Sequence, residues 1–96
     1  PVLVTSMDGK RMKDYLEMAA ELRSAGIGAE TYLEPKKMGA QLGYASKKGF
    51  LVAIIAGSQE FENDTVVVKN LGTSVQTSVA RADLVREVSR VLGNKT

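Results

Sequence analysis

The chain contains no cysteine and no histidine among its 96 residues. Without cysteine there is no disulfide, which fits a reducing compartment. The same two absences remove the commonest metal ligands and the usual general base at neutral pH. Carboxylates alone can hold a hard cation, but neither an EF-hand-like loop nor a paired-aspartate spacing occurs, so no metal or cofactor is expected. No run of 18 apolar residues is present to cross a membrane as a helix. No secretory leader precedes Val2, and the chain opens at Pro1 rather than at a methionine. It is therefore expected to be a domain cut from something larger. Charge of neither sign dominates: 13 basic and 11 acidic residues leave a net +2. That excludes a strongly cationic coat and leaves room for a local basic patch.

What remains is an ordinary soluble globule, 44% apolar and 25% charged, of a length that suits one domain over residues 1–96. Val2-Leu3-Val4 reads as a short buried strand, and Asp8 is placed as a natural helix N-cap. Met12, Tyr15, Leu16, Ala19 and Leu22 recur at helical spacing, and Gly26 stops that helix. Ala29–Leu33 is a second strand, broken by Pro35. Lys37–Lys48 is a second helix with Met38, Leu42 and Ala45 inward, closed by Gly49. Phe50–Ala56 lacks polar residues on either face, so it is expected to be the central strand. This β-α-β-α-β order predicts parallel strands with crossover helices. A short helical turn at Ser58–Asn63, a strand at Thr65–Asn70, a turn at Leu71-Gly72-Thr73 and a strand at Ser74–Val79 then form a hairpin, so the sheet is mixed. Ala82–Leu92 closes the chain as a helix with Leu84, Val85, Val88, Val91 and Leu92 inward. The expectation is a three-layer α/β/α domain with five strands.

Ligands of open α/β sheets sit beyond the carboxyl ends of the parallel strands. Thr5–Gly9, Glu34–Lys37 and Gly57–Glu60 meet there. None is a phosphate-binding glycine motif or a nucleophile elbow, and Ser6 and Ser58 lack a histidine to activate them. Catalysis is therefore not expected of these residues, and binding is left. Single-stranded RNA is read by stacking its bases on aromatics and bonding their Watson–Crick edges. A carboxylate matches the N1–H and N2–H₂ donors of guanine, and a lysine matches its O6 or N7. Glu60 and Lys69 suit those roles, Lys36 and Lys37 suit phosphate, Gln41 suits a base and Tyr44 suits stacking. Each has an ordinary alternative: the two lysines as a solvated loop end, Tyr44 as half-buried packing, Glu60 in a surface ion pair worth ~0–1 kcal/mol.

The ordered segments carry a resemblance. Val2-Leu3-Val4, A-A-E-L-R-S-A-G-I-G-A-E from Ala19 to Glu30, and P-K-K-M-G-A-Q-L-G-Y-A from Pro35 to Ala45 come first. V-A-I-I-A-G-S-Q-E from Val52 to Glu60, T-V-V-V-K-N-L from Thr65 to Leu71, and Asp83-Leu84-Val85 complete the set. Together they resemble the C-terminal anticodon-binding domain of class IIa aminoacyl-tRNA synthetases, and within that group the histidyl branch. The resemblance implies strand order 2-1-3-4-5 with strand 4 antiparallel, and a domain that grips a tRNA anticodon, here G-U-G. It implies RNA contacts from Met7, Asp8, Lys36, Lys37, Gln41, Tyr44, Gln59, Glu60 and Lys69, with Glu60 and Lys69 reading a base. It further implies a cytoplasmic, homodimeric parent enzyme that charges tRNA with histidine using ATP and magnesium in a separate catalytic domain. Ser58-Gln59 departs from the acidic residue many relatives carry there. Alternatives are the synthetases for threonine, proline or glycine, and regulatory paralogues such as the regulatory subunit of ATP phosphoribosyltransferase.

Overall fold

The computed structural model describes residues 2–34 and 37–93. Eleven segments succeed one another: β1 (Val2–Val4), a 3-10 turn (Gly9–Arg11), α1 (Met12–Ser24), β2 (Ala29–Thr31), α2 (Met38–Lys48), β3 (Val52–Ile55), α3 (Ser58–Asn63), β4 (Thr65–Asn70), β5 (Gln76–Ala80), a second 3-10 turn (Arg81–Asp83) and α4 (Leu84–Val91). The sheet order is β2-β1-β3-β4-β5. β1 pairs in parallel with β2 and β3, whereas β4 is antiparallel to both of its neighbours. The mixed sheet and its one reversed strand are as expected from the shortened β3–β4 connection, which has no room for a right-handed crossover.

The two faces of the sheet are covered unequally. Val2, Val4, Val52, Ile54, Val66 and Val68 point to one face, where Tyr15, Met18, Ala19 and Leu22 of α1 and Leu84 and Val88 of α4 complete the core. Alternation sends Leu3 and Ala53 to the other face, which α2 covers with Ala45; all three are fully buried. β3 is thus enclosed on both sides, as its uninterrupted apolar run predicts. Past α2, that second face of β4 and β5 presents Lys69, Gln76 and Ser78, which stay partly or wholly exposed. Leu22 has no exposed surface. Truncation there to alanine is the kind of change that costs ~2–5 kcal/mol.

Several local expectations shift. In α1 the buried set is Tyr15, Met18, Ala19 and Leu22, a clean i, i+3, i+4, i+7 stripe, and Leu16 lies one position off it with 45% of its surface exposed. In α2 the buried residues are Gln41 and Ala45, while Met38 and Leu42 are only half-buried. β2 ends at Thr31, leaving Leu33 outside the sheet. Phe50 precedes β3 because it closes the end of α2: its N–H donates to the Ala45 carbonyl at 2.9 Å, across Gly49 at φ 79. That left-handed cap is the reason for glycine at 49. Val75 lies in the β4–β5 turn, where the Asn70 side chain accepts from the N–H groups of Gly72 and Thr73.

Candidate nucleic-acid interface

The carboxyl ends of β1, β2 and β3 open on one end of the molecule, and the chain there is held by side chains rather than by more sheet. The loop 5–9 after β1 is the clearest case. Thr5 donates its hydroxyl to the Ile54 carbonyl at 2.7 Å, and Ser6 donates its own to the Tyr32 carbonyl at 2.6 Å. The Gln41 carboxamide bonds Ser6 twice: Oε1 accepts from the Ser6 N–H at 2.8 Å and Nε2 donates to the Ser6 carbonyl at 2.7 Å. The Tyr15 hydroxyl accepts from the N–H groups of Met7 and Asp8 at 3.2 and 3.3 Å and donates to the Ala56 carbonyl at 2.6 Å. Most of these bonds satisfy backbone groups that a tight, partly buried loop leaves unpaired, whereas the Ile54 carbonyl also accepts from the Thr5 N–H at 3.0 Å. Beyond the clamp, Asp8 caps the 3-10 turn by accepting from the Lys10 N–H at 3.0 Å, as its position predicts.

The second wall of this end is the start of α3. Glu60 accepts the N–H of Gly57 at 2.7 Å, the reach-back half of a capping box. One carboxylate oxygen is so engaged, and a carboxylate retains further lone pairs for a donor from outside. Gly57 has ordinary extended dihedrals, so its glycine serves close approach instead: a Cβ there would lie 3.2 Å from both Sδ and Cε of Met7. Met7 thus spans from the β1 loop to the β3 loop and keeps 51% of its surface exposed. Arg11 lies with its guanidinium carbon 4.6 Å from the Phe61 ring centre, and pairs with Asp14 at 3.6 Å.

The third wall is an aromatic cleft of about 310 Å³ lined by Glu30, Thr31, Tyr32, Leu33, Glu34 and Tyr44. Tyr44 meets Tyr32 edge-on at 5.3 Å between ring centres and lies tilted on Phe50 at 6.1 Å. Its hydroxyl donates to Glu30 at 2.7 Å, and that bond to an anion pushes the phenol above its ordinary pKa. The Thr31 hydroxyl is buried without a hydrogen-bond partner among the described residues.

Against the sequence-based expectations, Met7, Asp8, Gln59 and Glu60 come together at this end. Lys37, exposed, immediately precedes α2 at the same end. Lys36 lies outside the described residues. Tyr44 is half-buried among aromatics, so packing and an accessible ring edge coexist. Two expectations are corrected. Gln41 does not face outward to a base: it is fully buried, and its amide is committed to Ser6. Lys69 does not share an edge with Glu60. β4 runs down the sheet and sets Lys69 opposite Ala53, whereas Glu60 comes after the top of β3. Four residue rises separate Ala53 from Gly57, about 13 Å at the strand rise of ~3.3 Å. Sequence spacing marks Tyr15 only as a position on the apolar face of the first helix and Tyr32 only as part of the second strand; an apolar-stripe pattern carries no sign of a hydroxyl at its end.

Polar side chains thus hold the loop after β1, with carboxylates, a lysine and exposed Met7 around it, at the loop-rich end of an α/β domain. Among the described residues no three His, Cys, Asp or Glu side chains gather to hold a metal ion, and no helix is long and apolar enough to cross a membrane. The 5–9 loop does not carry a phosphate-binding glycine pattern.

The model of a family described as "Anticodon binding domain" matches residues 2–90, and the chain belongs to that family. It is 51% identical over 97% of its length to a histidine–tRNA ligase of Paracoccus denitrificans, and 52% identical over 82% to one of Rhodopirellula baltica. The chain spans 22% and 18% of the length of those relatives. Among solved structures, histidyl-tRNA synthetase from Nostoc sp. PCC 7120 superposes with a TM-score of 0.91 at 34% identity, covering 95% of this chain and 22% of that one. The RNA binding domain of threonyl-tRNA synthetase from Cryptosporidium parvum shares the fold, with a TM-score of 0.82 at 14% identity over 94% of this chain and 23% of that one.

Proposed function

We propose that the chain is the anticodon-reading module of a histidine–tRNA ligase, an enzyme that activates histidine with ATP and magnesium and transfers it to the histidine tRNA. Identity of about half the residues to such ligases over nearly the whole chain supports the histidyl assignment over the threonyl, prolyl and glycyl ones. The observation that carries the reading is the clamped loop end. The loop after β1 is fixed by buried hydrogen bonds, and Met7, Asp8, Gln59, Glu60 and Lys37 keep accessible surface at the same end. A carboxylate in a fixed position discriminates guanine by its N1–H and N2–H₂ donors, and rigid placement is what turns such a bond into specificity. The chemistry of amino-acid activation belongs to a separate catalytic domain, in a cytoplasmic homodimer.

The test is a titration of labelled stem-loops carrying G-U-G or a scrambled loop. Affinity is expected to be modest and to fall with salt, because few phosphate contacts are available at a net charge of +2. The G-U-G loop should bind the more tightly. Lys37→Ala should weaken both RNAs alike, whereas Glu60→Ala should narrow the gap between them. Equal wild-type affinity for the two loops refutes base reading.

A further inference from the structure

Thr5, Ser6 and Gln41 are the buried polar residues of the described chain. The first two belong to the β1 loop, and Gln41 reaches it from α2. An inward position one turn into a helix is ordinarily filled by an apolar side chain, and the spacing from Ala45 offers that choice here. A glutamine there loses more rotamer freedom on burial than a leucine would, so its advantage has to come from its bonds. Two of those bonds go to one residue. Oε1 and Nε2 close on the N–H and the carbonyl of Ser6, as a neighbouring strand would, 35 positions away in sequence. Fixing both peptide groups of Ser6 fixes the exit direction of Met7 and Asp8, which the Tyr15 hydroxyl then holds by their own N–H groups.

We propose that Gln41 is a positioning residue for base discrimination: its carboxamide locks the Ser6 peptide and thereby aims Met7 and Asp8 at the RNA. The proposal rests on the anticodon-reading function above and adds a specificity determinant that touches no RNA. Without the lock the fold persists, since the sheet and the α1–α4 core do not depend on it. The loop then samples several conformations, and binding survives through phosphate contacts while sequence preference is lost.

The deciding variant is Gln41→Glu. A protonated carboxyl has one acceptor and one donor, as the amide has, and can keep both bonds to Ser6. The ionised carboxylate is acceptor-only and faces the Ser6 carbonyl. Burial raises the pKa of such a carboxyl into the accessible range. The ionisable groups on the elements around it include Asp8, Tyr15, Tyr32, Glu34 and Lys37, and none of them is a histidine. With no histidine in the chain, the wild type supplies a flat baseline. G-U-G and scrambled stem-loops would be titrated at about pH 5.5 and 8, with circular dichroism confirming the fold.

The wild-type affinity ratio should hold at both pH values. Gln41→Glu should keep most of it at the low limit and lose it about tenfold, or down to unity, at the high one, with affinity for the scrambled loop changing less than about threefold. Full discrimination by folded Gln41→Glu at the high limit overturns the proposal. Should that variant unfold there, Gln41→Met decides: a folded methionine variant without discrimination supports the role, and one with the wild-type ratio overturns it. Wild-type chain that binds both loops equally overturns the anticodon-reading function and this role with it, whereas discrimination that ignores Gln41 overturns this role alone.

Discussion

Removing one oxygen, by Tyr15→Phe, should loosen the ligand end of the molecule while leaving its core filled. The Tyr15 ring has no exposed surface and stands edge-on to Phe61 at 5.5 Å between centres, contacts that phenylalanine retains. Only the hydroxyl bonds are lost. The bond to the Ala56 carbonyl, at 2.6 Å, is short and buried, so its loss removes about 1 kcal/mol and leaves an acceptor partly unsatisfied at a further ~1 kcal/mol. The bonds from Met7 and Asp8, at 3.2 and 3.3 Å, are long, and those N–H groups are near enough to solvent to hydrate. A total of about 2 kcal/mol is expected, which for a domain of this length lowers Tm by ~8–16 °C. Thermal melts followed by far-ultraviolet circular dichroism measure that drop, and hydrogen exchange resolves its location. Met7 and Asp8 amides, released from the hydroxyl, should exchange close to unprotected rates, while Val52 and Ile54, which open only with the whole fold, should quicken by about 30-fold, as ~2 kcal/mol of global loss implies. A Tm within about 3 °C of wild type, with unchanged exchange at Met7 and Asp8, would refute the clamp.

Glu60 and Lys69 should act independently: in a double-mutant cycle of Glu60→Ala and Lys69→Ala, read by stem-loop binding, the coupling should stay below about 0.5 kcal/mol, and a larger coupling would mean that both meet one base. The Glu21 carboxylate is bound by the Arg81 guanidinium at 2.6 and 3.0 Å, which holds its pKa below the ordinary 4.5. That stabilisation is therefore full above about pH 4.5 and lost as pH falls through the lowered folded value; because Glu21 is about half exposed, Glu21→Gln should remove only ~0.5–1 kcal/mol of acid-sensitive stability, seen as a flatter Tm-against-pH curve. Gly57→Ala should leave Tm within about 3 °C, since the exposed thioether of Met7 can move by a few tenths of an ångström, yet should alter stem-loop affinity by displacing Met7 from its place over the β3 loop.

Most of the fold was legible because its signals are local or periodic. Gly26 and Gly49 end helices where the apolar period stops, and both adopt the left-handed conformation that glycine tolerates. The run Val52–Ala56, apolar on both faces, is enclosed on both faces. The switch from parallel to antiparallel results from the shortness of the Ser58–Asn63 link. Phase and reach escaped. Leu16 and Met18 both fit an apolar face drawn loosely, and only packing against β1, β2 and α4 chooses the second. The ends of β2 and β3 depend on which backbone groups find partners: Tyr32 still donates to the Val4 carbonyl, but nothing continues the ladder to Leu33.

At the loop end the same limit has a chemical form. Gln41 was legible as a polar group near a candidate ligand face, and a carboxamide suits a base edge as well as it suits a peptide, since both offer one donor beside one acceptor. Sequence spacing cannot choose between those partners, because the competing peptide belongs to Ser6, at the far end of two intervening elements. Burial chooses: a side chain with no accessible surface can act on RNA only through what it holds. Glu60 shows the complementary case, where a local pattern three residues from Gly57 fixes one oxygen and leaves the other lone pairs for a partner. Counting along the chain pairs Lys69 with Glu60, whereas the antiparallel turn of β4 carries it back down the sheet. On the proposed anticodon-reading function, the residues that read a ligand are therefore those that the parallel strands deliver at their carboxyl ends, and those proposed to make them accurate are buried one layer below.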